Sequence, residues 1–325
     1  LDFIRTIATR LFYAVSLLLA VLVLNFTLIH LAPGDVADTI AQSMGGADEE
    51  ILDRIRADYG LDQPFLIQLG SYMARVLRFD LGYSFFYSMP VTELILQRLP
   101  ATLLLVFLAQ LLALIVGVVL GVISARRPNG MLSHFVTFFA LFGYSAPVFW
   151  TGILLLIAFS LKIQWFPVAG MRDVTLIGGF WAHFWDVARH LVLPVITLSS
   201  IFLALYSRLS RATMMETLGS DYVRTAKAKG LSSRSVVYKH ALKNALSPVI
   251  TLAGLQFSAV VSGAVLVETV FAWPGLGTLA FQSIIARDTP TILGILFFSA
   301  LMVIVGNLLT DFALRAVDPR MRGRG

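Results

Sequence analysis

Cysteine is absent from all 325 residues, and charge is scarce, with Asp, Glu, Lys and Arg together at 14%. The first absence excludes disulfides and thiolate metal sites. The second excludes an ordinary soluble domain, in which about a quarter of residues are charged. None of the five lysines follows a glycine, so the chain lacks a Gly-Lys phosphate loop and does not bind ATP in that way. No His-Glu-x-x-His sequence occurs either. Within the apolar runs His30 and Glu268 lie near outer ends, Asp311 lies just past an inner end, and no acid falls near a midpoint. An ion-coupled secondary transporter needs such acids and paired broken helices, and no repeat relates the two halves.

What is present is apolar surface. Hydrophobic residues make up 58% and the mean hydropathy is +0.82. The longest runs are Leu11–Ala32, Ala101–Ala125, Phe135–Leu161, Leu191–Ser207, Pro248–Ala272 and Pro290–Leu309. Each is near the roughly 20 residues that a helix needs to cross about 30 Å of hydrocarbon. The fourth is the shortest, and Arg208 and Arg211 can snorkel to extend it. The runs are continuous rather than alternating, so the expected fold is an all-α integral membrane protein with six transmembrane helices. With both termini inside, 16 of the 25 Lys and Arg and five of the 19 acids fall on the cytoplasmic side. Positive charge is then concentrated inside, as membrane insertion requires. The pI of about 9.7 reports that sorting, and nucleic acid need not be invoked. Leu11–Ala32 ends without a small-residue cleavage site and reads as a retained first helix.

Two segments outside the membrane are long. Residues 33–100 form an external insert between helices 1 and 2, with a predicted helix from Asp48-Glu49-Glu50 to Gly60. A second begins at Pro64, its apolar side formed by Phe65, Leu69, Met73 and Val76 or Leu77. Residues 101–325 form the core, with a cytoplasmic loop at 209–247. The second outer segment, Lys162–His190, carries Trp165, Phe180, Trp181, Phe184 and Trp185, which predicts an interfacial helix at headgroup depth. Pro147 is expected to kink the third run after Gly143-Tyr144-Ser145-Ala146, either for packing or to expose polar backbone to a pathway. Gly143-Tyr144-Ser145 also matches the Gly-x-Ser start of an intramembrane protease, but no histidine lies at matching depth to act as base.

The most informative segment is basic: Asp221, Tyr222, Val223, Arg224, Thr225, Ala226, Lys227, Ala228, Lys229, Gly230 and Leu231, in that order. Ser220 or Asp221 can cap a short helix, and Gly230 suits the left-handed residue that ends one. Ala226 and Ala228 are small enough to let another protein approach closely. The alternative is a solvated basic loop that serves only orientation.

These residues carry a resemblance. The runs Arg211–Glu216, Asp221–Leu231 and His240–Pro248 resemble permease subunits of dipeptide, oligopeptide and nickel ABC importers. The likeness extends to Leu31–Asp35, Tyr59–Pro64, Phe79–Ser84, Leu99–Thr102, Ala146–Trp150 and Glu268–Gly277. It covers nearly the whole chain and is nearest to the first permease of the pair, the permease B type.

The resemblance implies a type I ABC importer permease fold in the bacterial inner membrane, and a non-catalytic subunit. It implies a second homologous permease, two ATP-binding cassette ATPases and an extracytoplasmic substrate-binding protein as partners. ATP and Mg would be bound by the ATPases, with no cofactor or metal in this chain. Asp221, Tyr222, Arg224, Thr225, Ala226, Lys227, Lys229, Gly230 and Leu231 would form the helix that docks on an ATPase. In the family's Glu-Ala-Ala-x-x-x-Gly pattern, Ala226 matches the second alanine and Gly230 the glycine. Arg224 and Thr225 replace the glutamate and first alanine. Tyr144, Ser145, Pro147, Ser258, Ser262 and Glu268 are the candidate pathway residues. A peptide is the expected cargo, with nickel or a nickel chelate as the alternative. An ion-coupled carrier, or an anchor or receptor that moves nothing, stands as the reading from another class.

The absence of cysteine makes the charge-derived orientation directly measurable. Lys229→Cys is expected to resist an impermeant maleimide in intact cells and to react once the membrane is opened. Labelling from outside would overturn the orientation.

Overall fold

The computed structural model describes residues 2–31, 53, 57 and 62–317, most of them helical. The order is α1 (Asp2–His30), α2 (Phe65–Val76), β1 (Tyr83–Ser84), β2 (Met89–Pro90), α3 (Val91–Arg126) and α4 (Met131–Ser145). Next come α5 (Val148–Leu155), extended by π-helical turns over Leu156–Lys162, then α6 (Phe180–Gly219) and α7 (Asp221–Ala228). A turn at Ser233–Ser235 and a π-helical stretch Val236–Ala241 lead into α8 (Leu242–Leu255), followed by α9 (Phe257–Val270), α10 (Leu276–Ile285) and α11 (Thr289–Val317). Two compact units result, residues 1–101 with 275–304 and residues 102–274 with 305–324.

In the first unit α2 lies against α1 through aromatic rings. Phe26 stacks on Tyr72 at 5.2 Å between centroids, and His30 meets Phe65 edge-on at 5.1 Å. Tyr72 and Val76 are the buried residues of α2. Burial pushes the Tyr72 phenol up to about 12. The antiparallel β1–β2 hairpin pairs Tyr83 with Pro90 and Ser84 with Met89. Buried Asp288 fastens it, accepting hydrogen bonds from Ser84 Oγ and from Thr291 Oγ1 at 2.6 Å. A buried carboxylate is tolerated because hydroxyls replace its lost water.

In the second unit two glycines one helical turn apart decide how closely α3 and α6 approach. A Cβ at Gly121 would lie 2.6 Å from Ser210 Cβ and 2.7 Å from Ser207 O, and one at Gly117 2.9 Å from Tyr206 Cβ. Such spacing lets two backbones meet in lipid, where packing rather than water expulsion drives association. Buried Tyr206 and the Ala253 carbonyl each accept a 2.9 Å hydrogen bond from Gln110 Nε2, linking α3, α6 and α8.

Several expectations change. α3, α6 and Thr289–Leu308 of α11 are each long and apolar enough to cross a membrane, while Val15–Leu28, Val148–Lys162 and Leu276–Ile285 are shorter apolar helices. The third expected run is broken rather than kinked: α4 ends at Ser145 and α5 begins at Val148, with Pro147 at φ −59° and ψ 134°. Proline has no N–H to continue the ladder and drives its predecessor out of helical geometry. The fifth divides at Gln256, and Pro248 lies inside α8 instead of opening a span. Pro100 likewise lies within α3. No separate interfacial helix forms among the described residues of the second outer segment. Phe180, Trp181, Phe184 and Trp185 open the 40-residue α6, because no glycine or proline interrupts the run before Pro194. Trp165 lies in the preceding loop, where its carbonyl accepts from Arg189. Of the two external helices, the second begins at Phe65 with Pro64 as its N-cap rather than its first residue, and of the one expected at 48–60 only residues 53 and 57 are described, both helical.

Gly121→Val should therefore force α3 and α6 apart, at about 1–3 kcal/mol. A thermal melt of the purified protein in detergent should show a lowered midpoint. Gly70→Ala is the control, since a Cβ there meets nothing within 4 Å.

Candidate functional site

α6 spans 40 residues, about 60 Å, which is twice the thickness of the hydrocarbon. Its surplus carries the chain past its charged end (Arg208, Arg211, Glu216) to Gly219, where α7 begins. Ser220 stands at the N-cap position with extended backbone, but its hydroxyl donates back to Thr217 O at 2.6 Å and makes no side-chain cap. Asp221 instead places a negative charge in the first turn and Lys227 a positive one in the last, each favourable to the helix dipole. The Arg224–Asp221 ion pair, at 3.5 Å, is exposed on both sides and worth little.

Two residues three apart hold α7 down. Val223 and Ala226 enter a buried cluster with Val122 and Ala125 of α3, Met214 of α6, Val236, Val237 and Ala241 of the π-helical stretch, and Ala245 of α8. Val223 is fully buried and Ala226 is 8% exposed. The alanine is thus small because it faces the chain's own core, which corrects the expectation that it was left open to a partner. Ala228 does remain exposed. Complete burial of a valine contributes roughly 1.5–3 kcal/mol, enough to seat a helix of two turns that would not form alone.

The end of α7 closes as expected. Gly230 has φ +79°, its N–H donates to Lys227 O at 3.0 Å, and Leu231 N donates to Ala226 O at 3.4 Å. These two bonds are the Schellman pattern, and they satisfy carbonyls that the helix leaves open. A Cβ at 230 would touch nothing within 4 Å, so backbone angle alone calls for glycine there.

Polar ties complete the seat. Asn244 Nδ2 donates to Tyr222 Oη at 2.8 Å, and Thr213 Oγ1 donates to Ala245 O at 3.0 Å. Arg211, read above as a snorkelling charge, instead donates to Thr137 Oγ1 at 2.9 Å and to Pro128 O at 3.1 Å. Sequence reasoning missed Arg211, Asn244 and the Gly117/Gly121 pair, although the last was visible as two glycines four residues apart. Outward-facing Asp221, Tyr222, Arg224, Thr225, Lys227 and Lys229 leave a basic surface.

The candidate pathway residues fall on separate elements of the second unit. Tyr144 and Ser145 end α4, Pro147 is the N-cap of α5, and Ser258 and Ser262 are one turn apart on α9. Ser145 and Pro147 are exposed. Glu268 is fully buried and accepts a 2.6 Å hydrogen bond from Thr102 Oγ1, so it fastens α9 to α3 and lines no open surface in this structure. That bond joins two of the sequence runs named above, 166 residues apart.

Residues 117–323 match the family described as the binding-protein-dependent transport system inner membrane component, and residues 3–106 match its N-terminal family. A putative peptide transport system permease protein of Brucella abortus (strain 2308) is 39% identical over 97% of this chain and 98% of its own length. The oligopeptide transport system permease protein AppB of Bacillus subtilis (strain 168) is 37% identical over 97% and 98% of the two chains. The dipeptide transport system permease protein DppB of Alkalihalophilus pseudofirmus is 37% identical over 96% and 98%. Among solved structures, a chain of the inward-facing MetNI methionine ABC transporter aligns with a TM-score of 0.54 at 16% identity, covering 70% of this chain and 97% of that one. That likeness establishes the fold, a type I ABC importer permease, and the matched residues place the chain in the family of binding-protein-dependent transport system inner membrane components.

Proposed function

We propose that the chain is the first permease of a peptide importer, passing di- or oligopeptides from an extracytoplasmic binding protein into the cytoplasm. The single observation that carries the coupling role is α7, a short basic helix whose inner edge is locked into its own bundle while its outer face is exposed. In this reading two cytoplasmic ATPases hold ATP and Mg, and one of them grips the outer face of α7. A second, related permease completes the path. Closure of the ATPases around ATP displaces α7, and the bundle follows because α7 cannot move without it. Only a difference in ATPase affinity for the two states can drive that shift.

The proposed arrangement has six spans, with the broken third and fifth runs each crossing as a pair of helices, and residues 33–100 as an external insert. Both termini and Leu209–Ser247 face the cytoplasm, as the distribution of basic residues favours. The names of the relatives support peptide over nickel as cargo. The path would include Tyr144, Ser145, Pro147, Ser258 and Ser262, groups suited to weak contacts with a peptide backbone, with buried Glu268 bracing it.

Two substitutions separate docking from seating. Ala228→Glu, on the exposed side, should abolish ATP-dependent uptake of a labelled peptide while the chain remains as heat-stable as wild type. Ala226→Glu should lower stability itself, by about 3–5 kcal/mol, because the new carboxylate has no partner in the core. Full uptake by Ala228→Glu in a reconstituted complex with both ATPases and the binding protein would exclude α7 as the docked element. Short peptides should compete for uptake and nickel chelators should not alter it. ATP-dependent nickel uptake without peptide competition would replace the cargo and leave the importer reading intact.

A further inference from the structure

We propose that the junction between α3 and α4 is a binding site for the phosphate of an anionic phospholipid. A cavity of about 350 Å³ opens there, lined by Ile123, Arg126, Arg127, Gly130, Met131 and Ser133. Two arginines and no acidic residue line it. The first turn of the 15-residue α4 also faces this junction; Ser133 N and His134 N donate to Gly130 O at 2.9 and 3.2 Å, and the positive end of the helix dipole lies at the same place.

Ser133 supplies the independent observation. It is 1% exposed, lines the cavity, and its Oγ has no hydrogen-bond partner. A buried hydroxyl without a partner is costly, and an acceptor oxygen in the cavity would remove that cost. A phosphate diester carries such oxygens together with the charge that both arginines require. Arg211 prepares the site, since its bonds to Pro128 O and Thr137 Oγ1 fix the turn between α3 and α4.

The surface beside the cavity selects a lipid over a soluble anion. Met131, Phe135 and Phe138 lie along one face of α4 and are 86%, 59% and 65% exposed. A headgroup held at the start of α4 would lay its acyl chains along that face. Basic pockets between helices on the cytoplasmic side are where anionic headgroups are held. The inner-leaflet location rests on the orientation proposed above, but the existence of the site does not. Arg126 also lines an adjoining cavity of about 380 Å³ with Arg234 and Tyr238, which follow α7 in the chain. The bound headgroup would therefore lie close to the element proposed to carry the ATPase.

The test uses the purified full-length chain in a neutral detergent, with native mass spectrometry reading the lipid retained. The probes are phosphatidylglycerol and phosphatidylcholine with identical acyl chains. Wild type should retain phosphatidylglycerol preferentially. Arg126→Gln and Arg127→Gln should each weaken retention about fivefold, and Arg127→Lys should largely preserve it. Ser133→Ala should weaken retention by a smaller factor, and inorganic phosphate at millimolar concentration should displace nothing. Both arginines are exposed, so unchanged melting of the variants verifies that folding is intact. Equal retention of the two lipids, or undiminished retention in the Arg126→Gln/Arg127→Gln double variant, would overturn the site. Displacement of phosphatidylglycerol by inorganic phosphate would replace the lipid with a soluble anion. All three readouts are independent of peptide transport, so failure here leaves the importer reading untouched.

Discussion

The insertion of Val223 and Ala226 into the bundle is the contact on which the functional reading depends. A basic helix of two turns has little stability of its own in water, and its charges favour solvent. Two small apolar residues three apart give it one edge that fits among Val122, Ala125, Met214, Val236, Val237, Ala241 and Ala245. Those neighbours come from α3, α6 and the helical run into α8, so anything that displaces α7 acts on all of them together. Larger residues at 223 and 226 would lift the helix, and polar ones would leave it loose. The outer surface is under no such constraint and can keep its charges, and the proposed docking would occur there.

Polar contacts make the seat specific. Thr213 and Asn244 join α8 to α6 and α7, and Arg211 ties the end of α6 to the turn before α4. The part-buried bonds of Thr213 and Arg211 are costly to leave unmade, which restricts the alternatives open to the helices, whereas the exposed Asn244–Tyr222 bond adds direction more than energy. Glu268 obeys the same rule. Its carboxylate is buried without access to solvent and is held by Thr102, so it stabilises one arrangement of α3 and α9.

Much of this was legible in the sequence because lipid leaves few options. The apolar runs fell on helices and Gly230 adopted the left-handed conformation as expected, while Pro64 stands just before its helix rather than at its first position. The departures have separate causes, and each depends on packing that no local stretch of sequence records. The small size of Ala226 does not by itself distinguish packing within a chain from packing between chains. Phe180, Trp181, Phe184 and Trp185 continue into a long helix because aromatic residues mark depth but not where a helix ends. Pro100 and Pro248 suggested boundaries, yet a helix in a bundle passes through a proline when neighbours satisfy the freed carbonyl. Partners distant in sequence, such as Ser84 with Asp288, left no local trace.

Rigidity of the α7 seat is the most direct thing to measure. Spin labels on cysteines at Arg208 and Ala228, both exposed and within one compact unit, would report the distance between α6 and α7 in the complete complex. A helix locked to its bundle gives one narrow distance that is the same without nucleotide and with ATP trapped. A distance that broadens or shifts by several ångströms on ATP binding would mean that α7 moves on the bundle rather than with it, and would contradict the rigid coupling proposed for this permease.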